Sequence, residues 1–327
     1  PLCKRVEDNK IEGYMFPLGP IMQLFHEIGR GMPGMLSKIG LGTFMDARNG
    51  GGKLNQLTAE QGEDLVKYIP DFEGEDYLWY TLPKLNVALL RASSADPHGN
   101  ISIDKEAEEI EVLSVAQAVK SSGGIVICQV DELVELHTVN PHLIKVPGIY
   151  IDYIVVAQDR EAIPQNMART KGATYEPAFT GEVLKEVKTE VASVPLNERK
   201  VIARRAALEL GPGYNVNMGL GMPTTIPMIL AEAGVDDKIT MISETGTIGG
   251  VPGTERLDFG CHWNPEAFSD HGEHFSYFDG GNLDCGVFGL SEVDADGNMN
   301  TSHLNGRITG VGGFTDISSN AKKVLFI

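Results

Sequence analysis

Glu244 closes a β-branched apolar run, "ITMIS", and four glycines at 246, 249, 250 and 253 follow within nine residues. A carboxylate at the mouth of a strand, in a nearly bare backbone, can reach a substrate carbonyl without obstruction. It can then act as a general base or as a covalent nucleophile. Backbone amides left uncovered by glycine can stabilise an oxyanion beside it. The plainer alternative is an acid that caps a helix or sits in a turn.

Two further glycine loops share the same half of the chain. "NMGLGMPT" (217–224) carries Gly219, Leu220, Gly221, Met222 and Pro223 between a predicted strand and a predicted helix. That is where α/β sheets bind anions on helix N-termini. Position 224 is Thr, so the third glycine of a G-x-G-x-x-G dinucleotide fingerprint is absent. "GRITGVGGF" (306–314) presents Gly310, Gly312 and Gly313. Each loop alone fits a tight turn equally well. Together, at the carboxyl edge of one parallel sheet, they would meet in a single crevice. One acid flanked by two sets of exposed amides suits acyl transfer.

These loops need a sheet to hold them. "NVALLRASSADPHGNISI" (86–103) and "CGVFGLSEVDADGNMNTS" (285–302) each run from an apolar strand into an Asp-x-x-Gly-Asn turn. Asp96, Gly99 and Asn100 fall on Asp294, Gly297 and Asn298 with one offset, and the strand "IVICQV" falls on "KVLFI" with the same offset. This predicts a duplicated fold. The segment 104–122 reads as a helix stopped by Gly-Gly, and 197–210 as an amphipathic helix stopped by Gly211 and Pro212. Strand–helix–strand order predicts an α/β protein of two tandem related domains, each an open, mostly parallel sheet with crossover helices. The domains are expected at 1–190 and 191–327, joined by a charged linker over 181–198.

Composition narrows the function classes. The chain has 327 residues and a net charge of −18, which argues against nucleic acid or an anionic membrane as partner. The four cysteines form no C-x-x-C pair, and no apolar run approaches a membrane span, so a cytoplasmic protein is expected. G-x-S-x-G and P-loop patterns are absent. Cys261, His262, His271 and His274 lie close in sequence but match no standard zinc spacing, so no metal is expected. The chain opens without Met and stops inside an apolar run, so both ends are expected to be cut.

Taken in order, these motifs resemble the family I CoA-transferases, in particular the fused single-chain type acting on acetate, propionate and 3-oxoacids. Glu244, Gly246 and Gly249 match that family's Glu-x-Gly-x-x-Gly mark. "GLGMP" (219–223) resembles its CoA-contacting loop, "GVGGF" (310–314) a second glycine loop, and "GLGTFMDARNGGGKLN" (40–55) a first-half segment. The resemblance implies that Glu244 is a nucleophile forming an anhydride and then a glutamyl-CoA thioester. It implies that amides of Gly221 and of Gly312 or Gly313 form the oxyanion hole, and that Arg48, Asn49 or Lys53 meets a substrate carboxylate or a CoA phosphate. Coenzyme A and small carboxylic acids are then the substrates, no cofactor is held permanently, and a homo-oligomer is expected. An acyl-CoA hydrolase or lyase-type transferase subunit on the same scaffold is the nearest alternative. A non-catalytic CoA- or nucleotide-binding protein is the alternative from another class.

Overall fold

The computed structural model describes residues 2–158, 165, 175–185, 195–253, 258 and 260–327. Alternating β-branched runs and amphipathic segments build two mixed sheets that are parallel at their centres. In the first half the order is Ile144–Val146, Ile101–Ser102, Val87–Ala95, Ile125–Leu133, Tyr153–Val156, the last three running parallel. In the second half it is Ala267–Phe268, Thr247–Ile248, Thr240–Ile242, Asn215–Met218, Cys285–Phe288, Val324–Phe326, the last four running parallel. A small antiparallel sheet of Met35–Ser37, Glu75–Tyr80 and Val66–Phe72 precedes both. The expected boundary at 190/191 and half of the linker, 186–194, lie outside the described residues.

The duplication extends to single hydrogen bonds. Asp96 Oδ1 accepts from the amides of His98 and Asn100, and Asp294 Oδ1 from those of Asp296 and Asn298. Each aspartate also takes the side-chain amide of its asparagine at 2.8 Å. The ladders agree too: Ala88 pairs with Val126, and Gly286 with Val324.

Helix ends follow local chemistry. The Asn197 side chain caps Glu198–Ala207 by accepting from the Lys200 amide at 3.0 Å. Ala203 and Ala206 of that helix pack on Val216, Cys285 and Val287 of the sheet. One expected helix is shorter than its pattern. Only Val112–Ser121 is helical, and residues 104–111 are not. Tertiary partners take that segment's backbone instead. The Lys105 amide donates to Ser93 Oγ at 2.9 Å, the Ala107 amide to the Gln165 carbonyl at 3.1 Å, and Glu106 pairs with Arg91 at 3.3 Å.

The helix Leu18–Gly29 joins the halves. It packs on Val112–Ser121 from its own side and on His271–Asp279 from the other. Its Gly19 amide donates to Asp316 Oδ1 at 3.0 Å. The His271 amide donates to the Glu109 carbonyl, and Lys145 bridges Glu109 and Asp270 at 2.8 and 3.1 Å. These contacts bring first-half residues to the edge of the second sheet.

Candidate active site

Three loops leave the carboxyl ends of adjacent parallel strands. Asn215–Met218 runs into the Gly219–Pro223 loop, Thr240–Ile242 ends at Ser243 and Glu244, and Cys285–Phe288 ends at Gly289. The buried Asn217 ties two of these ends together, its Nδ2 donating to the Ile242 carbonyl at 2.9 Å. Between the loops lies a cavity of about 1050 Å³. Glu244 lines it with Gly219, Leu220, Gly221, Gly310 and Gly312. Leu18, Met22, Ile110 and Glu111 close its far side from the first half. Sheet order explains the crevice: Asn215–Met218 lies between strands that follow it in sequence, so the loops part on either side of it.

Glu244 sits at the tip of a turn closed by hydrogen bonds. The Ser243 amide donates to the Thr247 carbonyl at 2.8 Å, and the Thr247 amide to Ser243 Oγ at 2.9 Å. The turn leads into a hairpin, Ile242 opposite Ile248, and not into a helix. A further tie comes from below, where His274 Nε2 meets the Ser243 carbonyl at 3.0 Å. Burial holds the His274 ring down at about 4, so it is neutral and donates from that nitrogen.

Burial also raises the Glu244 carboxyl above the usual carboxylate range, against the opposing pull of His271 and of the Gly313 amide. A raised pKa makes the ionised form a stronger base and nucleophile. Space beside it is reserved. A Cβ at Gly313 would lie 2.9 Å from Glu244 Cδ and 2.9 Å from Phe275 Cζ, and one at Gly312 would lie 3.4 Å from Glu244 Oε1.

The other glycines of the motif serve a different purpose. Gly246 has φ +96°, and a Cβ there would fall 2.1 Å from the Ser269 carbonyl oxygen. A Cβ on Gly249 would fall 2.6 Å from the Glu266 side chain. Both glycines admit the neighbouring strand Ala267–Phe268 and its flanks. They seat the hairpin that carries Glu244 and do not line the cavity. Met222 and Pro223 begin the short 3₁₀ turn at the foot of the first loop, also outside the lining.

Arg48, Asn49 and Lys53 lie away from this cavity. Arg48 grips Asp46 through Nε at 3.0 Å and Nη2 at 2.6 Å and stacks on Tyr68 at 3.8 Å. Asn49 Nδ2 donates to the carbonyls of Gly42 and Thr43. Lys53 donates to Asp64 at 2.8 Å and to the Gly62 carbonyl at 3.3 Å. The histidine cluster also resolves into separate tasks. His262 Nδ1 meets the Gly249 carbonyl at 2.5 Å, while His271 Nδ1 meets Glu111 Oε2 at 2.7 Å. Glu111 and His271 both line the cavity, and sequence reasoning did not place them there. The two stand 160 positions apart, and no local pattern signals the contact.

Residues 2–157 match the family model for coenzyme A transferase. The chain is 45% identical over 326 residues to the caffeate CoA-transferase of Acetobacterium woodii, covering 98% of this chain and 60% of that protein. It is 36% identical over 325 residues to the acetate CoA-transferase YdiF of Escherichia coli K12, covering 99% and 59%. The crystal structure of the acyl-CoA transferase YdiF apoenzyme from E. coli O157:H7 superposes with a TM-score of 0.89 at 34% identity, over 99% of this chain and 59% of that one. A structure of the same protein as a thioester complex with CoA superposes with a TM-score of 0.88. The chain thus spans about three fifths of the length of the curated relatives it matches. Among the described residues no helix is long and apolar enough to cross a membrane. Over nearly its whole length, in sequence and in fold, the chain resembles coenzyme A transferases, and residues 2–157 carry that family's match.

Proposed function

We propose that the protein moves CoA between an acyl-CoA and a carboxylic acid, with Glu244 as the covalent nucleophile. The observation that carries this reading is the position of Glu244: a destabilised carboxyl facing a large cavity between two glycine loops. The thioester complex with CoA of its solved relative supports it.

In the proposed sequence the Glu244 carboxylate attacks the thioester carbonyl. Collapse of the tetrahedral adduct expels CoA thiolate and leaves a mixed anhydride. The thiolate attacks the glutamyl carbonyl, the first acid leaves as a carboxylate, and a glutamyl-CoA thioester remains. A second carboxylate attacks that thioester and reverses the steps, regenerating Glu244. A carboxylate suits the task because it forms both an anhydride and a thioester with these partners. Amides of Gly221 and of Gly312 or Gly313 are the proposed oxyanion donors, each worth about 3 kcal/mol. Binding of the CoA moiety far from the carbonyl supplies the energy to bring two acids together. Keeping water from the anhydride is a further requirement of this sequence.

The test uses the full-length protein with acetyl-CoA and no acceptor. A CoA adduct on the peptide bearing Glu244 is expected by mass spectrometry. Glu244→Gln should abolish the adduct and lower transfer by about ten-thousand-fold. Full transfer by Glu244→Gln would end the proposal.

A further inference from the structure

The described lining of the cavity around Glu244 is poor in positive charge. Its acids are Glu111, Asp258 and Glu244, and among its described lining residues there is no lysine or arginine. Against these acids, an acid substrate approaching Glu244 gains from a donor that faces it. His262 does not fill that place: its Nδ1 is engaged with the Gly249 carbonyl, and burial holds its ring down at about 4.

His271 is placed differently. Glu111 Oε2 lies 2.7 Å from Nδ1, and the side chain is 3% exposed. The ring rests edge-on against Phe275 at 5.2 Å, and the backbone is anchored to the Glu109 carbonyl at 2.9 Å. Its second nitrogen, Nε2, is buried without a hydrogen-bond partner. A buried polar atom left unpaired has lost its hydration with nothing in return. A ligand group that completes the bond would make good that loss. With Nδ1 taken up by a carboxylate, Nε2 is the ring nitrogen left for a ligand group, and a histidine carrying both hydrogens donates from each.

We propose that His271 Nε2 is the donor that seats the carboxylate of the acid substrate beside Glu244, with Glu111 of the opposite half fixing the ring. This deepens the transferase reading and rests on it. The oxygen that His271 holds in the free acid is the carbonyl oxygen in the acyl-CoA, so one donor serves both directions. The exchange moves no net proton. The two halves of the chain thus meet at the acid's binding point.

The test charges the full-length enzyme with CoA from acetyl-CoA and follows discharge of the adduct against acetate. His271→Ala should raise KM for acetate about tenfold or more, the loss of one charge-assisted hydrogen bond. Affinity for free CoA should stay within about twofold. His271→Gln returns a neutral donor and should recover part of the loss. Glu111→Gln keeps the histidine but removes its charged partner, and should give a smaller loss in the same direction. An unchanged acetate KM in His271→Ala overturns the inference. So does an equal loss of CoA affinity, which marks a purely structural residue. If His271→Ala does not fold, wild-type acetate KM in both conservative variants overturns it. A wild-type enzyme that takes no CoA onto Glu244 overturns the transferase reading itself.

Discussion

Two loops of this chain have the same ingredients, an acid followed by clustered glycines, and opposite fates. In "MDARNGGG" Asp46 is fully buried yet surrounded by donors. It accepts from the Gly42 and Arg48 amides at 2.9 Å each and from the Arg48 guanidinium. The Arg48 side chain, ahead of these amides, draws its carboxyl down to about 2. In "SETGTIGG" burial dominates and the Glu244 carboxyl moves up. The difference lies in the supply of donors. A saturated carboxylate is a staple that fixes a loop. A poorly supplied one on a cavity, with the Gly313 amide as its opposing donor, has lone pairs left over.

This contrast can be broken at either end. The largest effect is expected where the space beside Glu244 is filled. Gly313→Ala puts a methyl against the Glu244 carboxyl and Phe275 and should lower kcat about 100-fold while CoA affinity persists. Steady-state kinetics with both substrates decide it. Unaltered kcat would mean that the carboxyl works from another position.

Asp46→Asn should act on stability and leave transfer alone. A folded pKa below the unfolded one stabilises above about pH 4, and the gain is lost as pH falls towards about 2. Urea unfolding at pH 7 should show a loss of about 2 kcal/mol that shrinks through that window. If kcat fell as well, the Arg48 loop would belong to the site and not merely to the scaffold.

Asp279 offers the smallest and most diagnostic change. Its Oδ1 has no partner, and burial lifts it to about 6. Here the folded pKa lies above the unfolded one, so stability falls as pH rises from about 4 to about 6. Asp279→Asn should raise the melting midpoint by about 2 °C above pH 6 and flatten that slope. Calorimetry at pH 4.5 and 7.5 tests this. No gain at pH 7.5 would show that a starved carboxyl need not be costly here.

The two repeats add a second contrast. At the common offset the first turn of Val112–Ser121 falls on Gly310–Gly313, and the second-half helix starts only at Phe314. Where the first repeat has a helical turn, the second has a glycine loop beside Glu244. The glycines were legible in the sequence, because glycine spacing and turn residues act locally, but that difference was not, since it depends on where the first-half helix starts. The three loops and the strand–helix order were legible for the same reason. Residues 104–111 misled because acidic, helix-favouring residues were claimed by Ser93, Gln165 and Arg91 elsewhere in the fold. Gly246 and Gly249 were recognisable as special, but their purpose was not: the close neighbours, Ser269 and Glu266, are set by strand pairing.

By itself the sequence determined that an acid would stand at a strand end among glycines, within a duplicated α/β frame, since these follow from short-range sterics and periodicity. Only the tertiary structure decided which acid would be poorly supplied with donors and which saturated. It also decided that Glu111 and His271, contacts of opposite halves, would meet at the same cavity. Burial and hydrogen-bond supply depend on what the rest of the chain packs around a group, and no local pattern encodes that.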